Sequence, residues 1–103
     1  MSKRSDEALV KDMIIAAEKI NSYTKDMNFE AFHNDAKTID AVIRNFEVIG
    51  EAANRLSEPF KERNNSIDWF KIRSFLNKLV HDYIEIDFEM VWEIKSKFLS
   101  RLL

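Results

Sequence analysis

Gly50 and Pro59 are the single glycine and single proline among 103 residues. Sheets are joined by tight turns, and tight turns draw on Gly and Pro for backbone angles that other residues resist. A chain this poor in both predicts an all-α fold, an antiparallel helical bundle with short connections. Hydrophobic residues at 46% and charged residues at 33% supply amphipathic helices around one core. At this length one domain, spanning residues 1–103, buries about 60–65% of its unfolded surface. Four helices of this size can leave an apolar face uncovered, so a homodimer is expected.

Apolar periodicity places the helices. From Ser5 to about Met27, Leu9, Met13, Ile14, Ala17, Ile20 and Tyr23 recur at the spacing of one buried stripe. Ser5 ahead of Asp6 and Glu7 offers an N-cap acceptor and two favourable charges. Residues 28–34 read as a polar break carrying Phe29 and Phe32. A second helix starts at Asp35 or Thr38 and runs through Ile39, Val42, Ile43, Phe46, Ile49, Ala53 and Leu56. Gly50 lies inside it at a cost of about 1 kcal/mol relative to Ala, which predicts close approach by a neighbouring backbone. Pro59 begins a short turn, and residues 61–66 form a polar loop. A third helix covers Ile67 to about Tyr83, capped by Ser66 or Asp68. Ile84–Ile86 is too short for a strand, and Asp87 caps a last helix through Val91, Trp92, Ile94, Phe98 and Leu102.

Charge and composition remove several functions. The net charge of −2 lacks the footprint of a general nucleic-acid binder, so any RNA contact must be local. Without cysteine there is no thiolate nucleophile, disulfide or Cys-based metal site, which fits a reducing cytoplasm. No signal-like core or membrane-length apolar run is present, and no membrane partner is expected. No serine sits in a Gly-flanked elbow. His81 and Asp82 lack a further ligand at helical spacing, and His33 with Asp35 and Asp40 reads as a surface cluster, so no metal site is predicted. Trp69 and Trp92 read as core aromatics.

The third helix carries the chemistry. Arg73, Asn77 and His81 fall at i, i+4 and i+8 and drift about 40° per step, forming one stripe. Ile72, Phe75, Leu76, Leu79, Val80 and Tyr83 fill most of the remaining arc as core or interface. Arg offers a forked donor to phosphate oxygens, Asn a neutral amide donor, and His a proton exchanged near neutral pH. Polar residues on an outer helical face are also ordinary solvated surface, and the spacing fits both readings. A mononucleotide-binding module would use the same three groups.

Two stretches carry a family resemblance. Ala41-Val42-Ile43-Arg44-Asn45-Phe46-Glu47-Val48-Ile49-Gly50-Glu51-Ala52-Ala53 resembles the AV-x-x-x-x-x-IGEAA helix of HepT-like proteins in the HEPN superfamily. Ile67-Asp68-Trp69 through Leu79-Val80-His81-Asp82-Tyr83, followed by Ile86-Asp87 and Val91-Trp92, is similar to the second signature. Together they span about half of the chain, in the family's order. The resemblance implies an all-helical dimer acting as a metal-independent endoribonuclease toxin with no cofactor of its own. It also implies a partner, the MntA-like minimal nucleotidyltransferase antitoxin, which uses ATP and Mg²⁺ to transfer AMP onto a tyrosine. His81 maps onto the catalytic histidine, Asn77 onto the polar residue after the motif arginine, and Tyr83 onto the AMP acceptor.

One position departs from that pattern. The motif arginine precedes the histidine by five residues, and Leu76 stands there. Leu offers neither charge nor donor to a phosphorane oxygen. Three readings stay open: Arg73, one turn earlier, takes the phosphate; the chain is an impaired nuclease that keeps the dimer and the tyrosine as a nucleotidyltransferase's partner or substrate; or the leucine is a substitution that removes toxicity.

Overall fold

The computed structural model describes residues 4–81, 91, 92, 95 and 96. Its elements are α1 (Asp6–Tyr23), α2 (Phe29–His33), α3 (Ala36–Arg55), α4 (Glu58–Arg63) and α5 (Trp69–His81). Residues 91, 92, 95 and 96 are also helical. The fold is an all-α bundle, and among the described residues there is no strand. Expectations for Tyr83, for Ile84–Ile86 and for Asp87, Ile94, Phe98 and Leu102 lie outside the described residues, as do those for the side chains of Phe75, Leu79, Val80 and His81.

Short polar side chains start the helices. Ser5, Asn28, Asp35 and Ser57 each accept a bond from a backbone N–H three residues on, opening α1, α2, α3 and α4. Asp68 does the same for Lys71 at 2.9 Å, so α5 begins just after it. Ser57 also reaches across the fold. Its N–H and hydroxyl both donate to the Asp6 carboxylate, at 2.9 and 2.6 Å, fastening the start of α1 to the start of α4.

The first helix is shorter than its pattern. Thr24 turns its hydroxyl back onto the Ile20 carbonyl at 2.8 Å, and Asp26 takes a left-handed backbone with φ 63°. Asp tolerates that region better than most residues, and the helix stops at Tyr23. Tyr23 is consequently 41% exposed rather than part of the buried stripe, while Ala16 joins it. Two segments expected as loops contain helix. Phe29–His33 forms α2 because Phe32 is fully buried and draws its turn onto the core. Ser57 and Pro59 open α4, which consumes half of the polar loop.

α3 is the axis, with α1, α2 and α5 all packed on it. Its buried face is Ile39, Val42, Ile43, Phe46, Ile49, Gly50, Ala52 and Ala53. Leu9, Met13, Ala16, Ala17 and Ile20 of α1 meet that face, and Phe32, Leu56, Leu76 and Val91 complete the cluster. Trp92 lies against it, its ring 5.0 Å from Phe32 and 6.5 Å from Phe29, with the Lys95 ammonium 4.5 Å above its face. Burial holds the Lys95 pKa below the ordinary lysine value.

Asp35 ties this scaffold to pH. Its hydrogen bonds to Thr38 hold its carboxyl below the ordinary aspartate range. A depressed folded-state pKa contributes stability above the unfolded value, about 3.9, and loses it as pH falls through the folded value. Asp35→Asn, a neutral cap of similar strength, removes this dependence. The difference in urea midpoint between wild type and Asp35→Asn should therefore fall in favour of the variant as pH drops from 6 to below 3.

Candidate functional site

α5 is built as two faces. Leu76, 5% exposed, is driven into the seam with α3, and Ile72 and Trp69 pack partly buried against the same core. Trp69 lies 6.5 Å from the Phe60 ring, and its buried indole N–H finds no acceptor among the described residues. The Trp69 side chain as a whole is only partly buried, which makes it a core-edge residue.

The seam explains the lone glycine. A Cβ added at Gly50 would lie 2.7 Å from Leu76 Cδ1, 2.9 Å from its Cβ and 3.1 Å from its Cγ. The close approach expected at this glycine comes from a side chain of α5 rather than a neighbouring backbone. Leu76 thus stands where the motif arginine is expected and serves as a packing residue against α3. Arg73, by contrast, is exposed, about 60° away around the helix.

The exposed flank of α5 carries the stripe. Arg73 and Asn77 are both exposed, and His81 is the last residue of α5. Ser74 and Lys78 are exposed beside them. α5 reads WFKIRSFLNKLVH, with Lys71, Arg73 and Lys78 and no carboxylate, whereas α1, α2, α3 and α4 each contain at least one. The ion pairs among the described residues, Arg4–Asp12, Arg44–Glu47 and Glu58–Lys61, leave those three cations unengaged. Among the described residues of this chain of net charge −2, α5 therefore presents a local cationic surface. The structure also exposes a residue to which the motif assigns no role. Phe70 is 79% exposed. Helical projection would have flagged it, since it lies only about 20° from Asn77.

Elsewhere, His33 is exposed with its ring 5.7 Å from Phe29, and Asp35 is occupied in capping α3. Among the described residues no three carboxylate or imidazole groups converge as metal ligands would. None of the described helices is long and apolar enough to cross a membrane.

The pattern "Ribonuclease HepT-like" matches residues 13–103. The chain belongs to the HepT-like ribonuclease family. A candidate RNase of Methanocaldococcus jannaschii is 37% identical over 94 residues, covering 91% of this chain and 78% of the relative. Another from the same organism is 34% identical over 102 residues, 99% of this chain and 94% of its own. A probable ribonuclease HepT of Thermococcus cleftensis is 36% identical over 91 residues, covering 88% and 83%. No solved structure matches the chain. Gly50 and the α5 stripe both fall inside the HepT-like match.

The two faces of α5 should respond oppositely to mutation. Leu76→Ala should cost about 2–5 kcal/mol as a buried truncation, whereas Arg73→Ala and Asn77→Ala should stay within about 0.5 kcal/mol, read from urea denaturation. Gly50→Ala gains about 1 kcal/mol of helix propensity but overpacks the seam at a cost of about 1–3 kcal/mol. Because Leu76 Cβ is fixed to its backbone, α5 itself would have to move. A lower urea midpoint is expected for Gly50→Ala, and a higher one would show the seam to be loose.

Proposed function

We infer that this HepT-like chain is an endoribonuclease toxin cutting RNA at the α5 stripe, with a nucleotidyltransferase antitoxin as its partner. The observation carrying this reading is the solvent-facing run of Arg73 and Asn77 leading to His81 on a helix without carboxylates. RNA brings its own nucleophile, the 2′-hydroxyl. The protein has to remove that proton, stabilise the phosphorane and protonate the departing 5′-oxygen. These steps need no metal ion. His81 is the proton-transfer group, and Arg73 and Asn77 donate to the non-bridging oxygens. In a homodimer, two copies of His81 brought to one cleft divide the roles of base and acid.

Tyr83 is the proposed control point. Its hydroxyl attacks the α-phosphorus of ATP in the antitoxin, pyrophosphate leaves, and AMP stays on the tyrosine. The added phosphate and adenosine then repel and block RNA near the stripe.

The burial of Leu76 favours a second reading, in which the chain is an impaired nuclease that serves as partner and substrate of the nucleotidyltransferase. A leucine held against Gly50 has nothing to offer a phosphate. An arginine there could lay its aliphatic stem across Gly50 and carry its guanidinium to the rim.

Incubation of the purified chain with single-stranded RNA in a metal chelator tests both readings. Cleavage that disappears in His81→Ala supports the nuclease, and cleavage that survives sinks the assignment of His81. Activity that emerges only in Leu76→Arg favours the impaired chain. With a cognate nucleotidyltransferase and labelled ATP, wild type should take up AMP and Tyr83→Phe should not; label on the Phe variant removes Tyr83 from the account.

A further inference from the structure

Phe70 is the most exposed of the large hydrophobic side chains described, at 79% against 46% for Ile15 and 41% for Tyr23. A lone exposed ring is ordinary by itself; what could occupy it is decided by its neighbours. Along the helix Phe70 stands about 4.5 Å before Arg73 and about 10 Å before Asn77, and lies about 20° from Asn77 in projection. Lys71 is exposed beside it, and no carboxylate is present anywhere on α5. The nearest carboxylate, Asp68, is occupied in capping α5 through the Lys71 N–H. A ring with Lys71 beside it and Arg73 and Asn77 further along the same side suits an anionic ligand that also has a flat, π-faced group. Single-stranded nucleic acid is such a ligand, because unpaired bases stack on aromatic rings while cations follow the backbone. A duplex keeps its base faces stacked and cannot use the ring.

We propose that Phe70 is a stacking platform for an unpaired nucleobase next to the phosphate held at Arg73. This rests on the ribonuclease reading of the stripe and adds a positioning residue to it. Phe70 touches no reacting atom. Its contribution is to hold the strand in register, and stacking accepts any base, so the ring discriminates by strandedness and not by sequence.

Binding of a fluorescently labelled single-stranded oligoribonucleotide, and of the same strand in a duplex, tests this by anisotropy in a His81→Ala background that cannot turn over RNA. Phe70→Ala should raise the single-strand Kd about 5- to 150-fold, leave its salt dependence unchanged and leave duplex binding as it was. Phe70→Trp should restore single-strand affinity. Arg73→Ala should weaken both ligands and flatten the salt dependence. Equal single-strand affinity for Phe70→Ala and its parent overturns the platform while leaving the ribonuclease reading intact. A change of oligomeric state on Phe70→Ala, read by light scattering, also overturns it, by making the ring a protein contact. If the parent binds no RNA and the wild type cleaves none, the ribonuclease reading fails, and the platform fails with it.

Discussion

The distance between α3 and α5 is set by a side chain that is absent. Gly50 leaves room for Leu76, whose atoms lie where a Cβ at position 50 would be. Interiors are packed to the density of organic crystals, so such a gap is filled by whatever can reach it. Leu76 fills it, and in doing so fixes the rotation of α5. Once Leu76 faces α3, geometry turns Arg73 and Asn77 toward solvent. The presentation of the stripe is thus decided by a residue on the adjoining face of the helix.

Much of this could be read from the residues. The caps at Ser5 and Asp35, the buried face of α3 and the α5 stripe follow from rules that concern only neighbours along one helix. The features that escaped reading depend on contacts across the fold or on local stop signals outside the apolar spacing. Phe32 makes a helix of a segment too polar to announce one, because its ring is fully buried. Thr24 and Asp26 end α1 early through a back-bond and a left-handed residue that apolar spacing does not register. The glycine was recognisable as a site of close approach, but not that a leucine from α5 would be what approaches. Phe70 escaped for a different reason. Its projection beside Asn77 was legible, but the stripe was read from its polar members alone.

Position 76 shows how one residue can serve two demands that a sequence motif does not separate. For the fold it needs apolar bulk over Gly50; for phosphate chemistry it needs a cation. Leu76 satisfies the first demand fully. Local electrostatics partly offset the second, since Lys71, Arg73 and Lys78 keep α5 cationic in an acidic chain. On the proposed reading, α5 retains attraction for a polyanion while lacking the donor that would stabilise its transition state, which makes binding and turnover separable properties of one surface.

The two hydrogen bonds from Ser57 to Asp6 bear on how the fold opens. They join residues 51 positions apart, and both residues precede α5 in the chain. Proteins open locally in units that each have their own free energy. α5 packs chiefly on α3, so an opening that lifts α5 need not break the latch between α1 and α4. The helix that carries Arg73 and Asn77 can leave the scaffold while the rest stays closed.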